Sequence, residues 1–162
     1  MWVRSEYAGE LAVLSAWLCS LMPWVVTYIP AGTQIRIHFP YVFVQFTPTL
    51  ANFRAFSVFV HEGPGGAAAA ATATAYQLWG VGAVVLTLAL ALSIVYYVYE
   101  ERLEAKAPVD PVRVMGVLLV GAGVPLAVGC YYLWVGLAVF TIPVGVLFMF
   151  FLGGSLLAVE RT

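Results

Sequence analysis

Four apolar stretches dominate the chain, and polar residues alternate or cluster between them. They run from about Ala8 to Ile29, Tyr76 to Tyr99, Val112 to Tyr132, and 139 to 159, the last starting somewhere between Leu137 and Ile142. About 20 apolar residues cross a hydrocarbon core about 30 Å thick. With no water in that core, each span must satisfy its own backbone, so the pattern predicts four helices. Aromatic rings mark the expected interfaces: Tyr7 with Trp24 and Tyr28, Trp79 with Tyr96, Tyr97 and Tyr99, and Tyr131, Tyr132 and Trp134 before span four.

The 30–75 connection is long and not polar. From Gln34 to Phe39 the residues alternate, with Ile35, Ile37 and Phe39 on one side and Gln34, Arg36 and His38 on the other. That is a strand pattern. Tyr41 to Phe46 is strand-like too, and Pro40 separates the two. Thr47-Pro48 reads as a helix start, with Thr as cap and Pro at the first position. Beyond it Arg54, Ser57 and His61 form one stripe and Phe53, Phe56 and Val60 the opposite one, which predicts an amphipathic helix lying in the interface. A re-entrant hairpin over 31–62 is the alternative, provided that protein buries its irregular backbone. HEGPGG is a turn, and AAAAATATA extends span two outward. The 100–111 link reads as a solvated helical extension stopped by Pro108, with Pro111 opening span three.

Basic residues set the orientation. Arg4, Arg102, Lys106, Arg113 and Arg161 fall on one side of a four-span chain, and Arg36 and Arg54 on the other, which places both termini and the 100–111 loop in the cytoplasm. Composition agrees with a membrane protein: 63% of residues are hydrophobic and 9% charged, with a mean hydropathy of +0.97. A soluble domain carries about a quarter charged residues. The seven basic residues are scattered, so no face suits nucleic acid. Span one reads as retained, because Glu6 and Glu10 sit where a signal peptide is basic and no small-x-small cleavage site follows. Cys19 and Cys130 lie in apolar runs and read as small hydrophobes.

Candidate contact residues come from two features. Ala8, Ala12, Ala16 and Ser20 recur every four residues and allow close helix approach. Ala83, Thr87 and Ala91 do the same in span two. In the outer loop, Phe39, Phe43, Phe53 and Phe56 need an apolar cover, whether bilayer, partner or the chain's own helices. The candidate polar site is thin: Glu10 near the start of span one, and His38, His61 and Glu62 in the loop. The last three are zinc- or copper-type ligands, but nothing in their spacing demands a metal. No His lies in a span to hold a haem, no charge sits at mid-span for a relay, and no G-x-S-x-G, H-E-x-x-H or Walker motif occurs. No catalytic, cofactor or metal site is therefore expected.

The opening WVRSEYAGELAVLSAWLCSLMPW, the VYYVYEERLEA and PVDPVRVMG link, and the closing LLAVERT resemble a group of small four-span membrane proteins of halophilic archaea. That resemblance implies a source and a topology, and no activity. The expectation is an all-α transmembrane fold: a four-helix membrane bundle whose extracytoplasmic loop holds a short β element and an interfacial helix. The expected role is a non-enzymatic accessory or assembly subunit in contact with membrane lipid and with a protein partner or a second copy. Two alternatives stay open: a small oligomeric transporter or channel, and a lipid- or quinone-binding protein.

Overall fold

The computed structural model describes residues 7–30, 33–46, 51–55, 67–106, 108–137 and 140–159. In chain order these form α1 (Ala8–Leu21), β1 (Val25–Ile29), β2 (Gln34–His38), β3 (Val42–Phe46), β4 (Ala51–Ala55), α2 (Ala67–Lys106), α3 (Pro111–Leu137), β5 (Phe140–Ile142) and α4 (Val144–Ala158).

The expected all-α bundle is overturned. Five strands form one antiparallel sheet in the order β4-β3-β2-β1-β5. Two of the four helices are long and apolar enough to cross a membrane, over Ala70–Glu100 and Pro111–Gly136. The other two have 14 and 15 residues. At 1.5 Å per residue they reach about 21–23 Å, short of a 30 Å core.

The shortening has local causes. Span one was expected to run to Ile29, but Pro23 cannot continue the helix, and α1 ends with the Met22 amide bonded to the Leu18 carbonyl at 2.9 Å. The residues that follow, VVTYI, are mostly β-branched or aromatic and suit a pleated strand. Likewise span four loses its first turns to β5, and α4 begins only after Pro143. The interfacial helix expected after Pro48 is replaced over Ala51–Ala55 by β4; its remainder, from Phe56 to His61, lies outside the described residues. β2 and β3 fall where the alternation placed strands.

α2 bends at Tyr99, whose backbone leaves the helical range (φ −126°, ψ 33°), as the chain passes from apolar residues to EERLEAK. α3 starts on Pro111, with the Asp110 carboxylate accepting from the Val112 amide at 3.0 Å as its cap. The core runs between the helices through Leu86, Tyr96, Met115, Leu119, Met149 and Leu156, all buried. Gly9 packs on the Tyr96 ring and Gly116 on Gly153 and Leu156. The start of α1, the end of α4 and the α2–α3 link therefore share one end of the molecule, and the sheet occupies the other.

The sheet is inverted relative to a sheet in water. Directly opposed residues point to the same face. One row crosses four strands as Thr141–Thr27–Arg36–Gln45, every member polar. A parallel row joins Val25, His38 and Phe43, and this face turns inward: Val25, Thr27 and His38 are buried, and His38 and Phe43 lie against Trp79 of α2. The opposite face carries Phe140–Tyr28–Ile35–Phe46 in one row and Ile142–Val26–Ile37–Val44 in the next. All of these are apolar or aromatic, and Tyr28, Ile35, Phe46, Phe140 and Ile142 are exposed.

Candidate functional site

Four buried polar atoms, on Thr27, Arg36, His38 and Thr141, lie on the inner face of the sheet where it meets α2, whereas Ser15 and Ser93 are buried within the helices. Trp24 is the pivot. Its amide donates to the His38 carbonyl at 2.8 Å, its carbonyl accepts from the Gly145 amide at 3.1 Å, and its indole N–H donates to the Cys19 carbonyl at 3.3 Å. One residue thereby joins α1, β2 and the first turn of α4.

His38 sits at the centre, only 5% exposed. Its ring stacks on Phe43 at 5.5 Å, meets Trp79 edge-on at 5.3 Å and lies 6.4 Å from Tyr76. Burial, reinforced by the positive charge of Arg36, pushes the imidazole down to about 4, against a hydrogen bond to the Val25 backbone that favours the charged form. The ring is neutral at pH 7. A ring N–H serves the Val25 carbonyl, while Nδ1 is buried with no hydrogen-bond partner among the described residues. Arg36 Nε, Thr27 Oγ1 and Thr141 Oγ1 are in the same position. The Arg36 guanidinium also lies within hydrogen-bonding reach of the Tyr76 hydroxyl.

A small cavity opens beside this cluster, walled by Trp24, His38, Tyr76, Trp79, Leu126 and Cys130. Its volume is about 20 Å³. A water needs about 10–15 Å³, whereas a cavity that takes benzene measures about 150 Å³. The chamber as it stands admits a water and not an aromatic ring, so a quinone head group does not fit without movement of its walls. A neutral imidazole with a bare acceptor beside that volume suits an ordered water.

The sequence-derived site residues are scattered by the fold. Ala8, Ala12 and Ala16 are fully buried against the chain's own helices, and the Ser20 hydroxyl donates to the Ala16 carbonyl at 2.8 Å. That stripe is used within the molecule. Phe43 is taken up by His38 and Trp79, and Phe39 is half-buried at the β2–β3 turn. Phe53 occupies a β4 position opposite Val44. Glu10 is exposed near the start of α1, at the far end from His38. Phe56, His61 and Glu62 lie outside the described residues. Among the described residues no group of three His, Cys, Asp or Glu side chains is placed to hold a metal. Cys19 and Cys130 are both free and buried.

Sequence reasoning missed the polar row and the pivot. The apolar pattern puts Thr27 inside the first span and Trp24 at an interface, and neither the strand position of Thr27 nor the pivot at Trp24 follows from it. The signal for the row lay in the long-range register, which no local pattern contains.

The sequence profile described as "Family of unknown function (DUF7549)" matches residues 1–161. The chain belongs to this family. No curated protein matches it. The match covers nearly the whole chain, so helices and sheet together are the DUF7549 unit.

Proposed function

We propose that this DUF7549 protein is a non-enzymatic integral membrane protein that works by contact, as an accessory or assembly subunit in the cell membrane. The observation that carries the reading is the direction of its polarity. The sheet turns its polar row inward and an apolar face outward, and the helices, apolar inside, expose apolar residues as well: Val84 and Leu88 on α2, Val117 and Val124 on α3, and Leu147 and Phe151 on α4. In water such a surface would aggregate; in lipid it is the ordinary one.

α2 and α3 cross the bilayer as an antiparallel pair, and the two short helices pack along them. The end holding the α2–α3 link, with Arg102, Lys106 and Arg113 in its sequence, faces the cytoplasm, as do both termini. The resemblance to small haloarchaeal membrane proteins supports the same assignment. The partner contact falls on outward helix faces, since the Ala8–Ala12–Ala16 stripe is already covered.

The test combines capture with position. Photo-crosslinking residues replace Leu88 and Phe151 in the tagged protein, the native membrane is irradiated, and the products are purified in mild detergent for mass spectrometry. One stoichiometric membrane protein, crosslinked from at least one position, is the expected result. Protein recovered alone or only as copies of itself, with no heterologous crosslink from either position, overturns the reading.

A further inference from the structure

The outer face of the sheet leaves Tyr28, Ile35, Phe46, Phe140 and Ile142 exposed, and the geometry of the helices says at what depth that face lies. Gly129 of α3 faces the Ala75 carbonyl so closely that a Cβ there would stand 3.3 Å from it. Tyr131, two residues further on, is therefore level with about residue 73 of α2, and it is exposed, as is Trp134 beyond it. At the other end Tyr7, Tyr97 and Tyr99 are exposed. From the level of residue 73 to Tyr97 is 24 residues, or about 36 Å of helix. That lies between the ~30 Å hydrocarbon thickness and the ~40–45 Å that includes the headgroups. Two aromatic girdles at that spacing mark the two interfacial layers.

The sheet lies at the first girdle. His38 and Phe43 rest on Tyr76 and Trp79, and the outer row Phe140–Tyr28–Ile35–Phe46 adds three exposed aromatic rings there. Its β2–β3 hairpin reaches deeper. Thr87 donates its hydroxyl to the Ala83 carbonyl at 2.7 Å, which leaves its oxygen to accept from the Tyr41 hydroxyl at 2.6 Å. Thr87 is ten residues, about 15 Å, from Tyr97, so the Tyr41 hydroxyl reaches the middle of the layer. Within the turn the Phe39 amide donates to the Val42 carbonyl at 2.8 Å, and Pro40 has no N–H to satisfy.

We propose that the sheet is an interfacial collar, its outer face packed against lipid at the headgroup–acyl boundary and its β2–β3 turn dipping along α2 toward the bilayer centre. The occupant of the face is lipid. Aromatic rings with apolar neighbours are the chemistry of that boundary, and open sheet edges find water there that the hydrocarbon lacks. The collar rests on the membrane reading of α2 and α3 given above.

Spin labels test both at once. In a Cys19→Ala, Cys130→Ala background, single cysteines at Ile35, Phe46, Phe140, Tyr41, Leu88 and Val109 are labelled and the protein is reconstituted in phosphatidylcholine–phosphatidylglycerol vesicles. Accessibility to oxygen, which partitions into lipid, is compared with accessibility to a water-soluble nickel chelate. Leu88, exposed at mid-α2, reports the membrane reading, and Val109, exposed in the link, is the aqueous reference. The collar gives Ile35, Phe46 and Phe140 oxygen-to-nickel ratios several-fold above Val109 and below Leu88, with Tyr41 above all three. If Leu88 matches Val109, the membrane reading fails. If Leu88 is lipid-exposed while the three sheet positions match Val109, the collar fails alone. Sheet positions closed to both reagents mean that protein covers the face, which also overturns the collar. Phe140 is 65% exposed, so a label there leaves packing intact should Ile35 or Phe46 prove sensitive.

Discussion

Gly145→Ala isolates the pivot on which the short helices and the sheet meet. A Cβ at Gly145 would stand 2.7 Å from the Pro23 carbonyl oxygen and 2.8 Å from Trp24 Cα. Both are backbone atoms, so no side-chain rotation relieves the clash, and α4 must move away from the 23–24 segment. Overpacking of this kind costs about 1–3 kcal/mol. The movement also lengthens the 3.1 Å bond from the Gly145 amide to the Trp24 carbonyl, for about another 1 kcal/mol. Alanine returns up to about 1 kcal/mol through its better helix propensity. The net loss is about 1–4 kcal/mol, or a Tm lower by about 2–16 °C for a chain of this size. Gly154→Ala is the matched control, because nothing lies within 4 Å of its Cβ position on the same helix. It should hold or slightly raise the Tm. Thermal unfolding in detergent, followed by near-ultraviolet circular dichroism, compares the two. Equal midpoints for Gly145→Ala and Gly154→Ala would refute the close approach of α4 to Trp24.

Two further perturbations read other parts of the same architecture. His38 is held at about 4 against an ordinary 6.5, so between those values the unfolded chain takes up a proton that the folded one refuses. Its contribution is complete above pH 6.5 and is lost as pH falls toward 4, a difference of about 3 kcal/mol. Midpoints from pH 7 down to 4.5 should therefore fall more steeply in wild type than in His38→Phe, with His61 present in both; parallel curves would mean that His38 is not buried neutral. Thr33 has φ 48°, a left-handed conformation costly for a β-branched residue, and its amide closes the β1–β2 turn on the Pro30 carbonyl at 3.2 Å. Thr33→Asn should relieve about 1 kcal/mol of strain and raise the Tm by a few degrees, and a lower Tm would show that Thr33 is held there by favourable contacts.

What was legible in the sequence divides along a physical line. α2 and α3 are long, apolar and bounded by Pro, Asp and charged residues, all of which are local signals. The alternation over 34–38 was equally local, and β2 lies there. β1 was hidden because VVTYI continues the apolar run of α1 without a break in hydropathy. Once a run is taken as lipid-embedded its periodicity carries no information, and only Pro23 and the β-branched composition distinguish strand from helix. β5 was hidden for the same reason, being three residues inside an apolar stretch. At β4 the Phe53/Phe56 and Arg54/Ser57 spacings mimicked a helix, and pairing with β3 overrode them.

The candidate site was illegible for a deeper reason than its elements. Gln34, Arg36 and His38 form the polar half of an alternating strand, and in water the polar half faces out. The convention fails when the apolar half has lipid to face. The same alternation is then satisfied by turning Arg36 and His38 inward, where Tyr76, Trp79 and the Val25 carbonyl receive them, and by leaving Ile35 and Ile37 outside. An alternating strand specifies two faces without saying which is buried; the solvent decides that. Thr27 supplies the deciding clue. It is the one polar residue of VVTYI, it is 1% exposed, and its register partner is Arg36 on one side and Thr141 on the other. Three polar residues aligned across three strands, Thr27 buried and Arg36 and Thr141 half-buried with a polar atom shut off from solvent, are a costly arrangement for a sheet that could have turned the other way. Their burial is intelligible if the outer face lies in an environment still less tolerant of them.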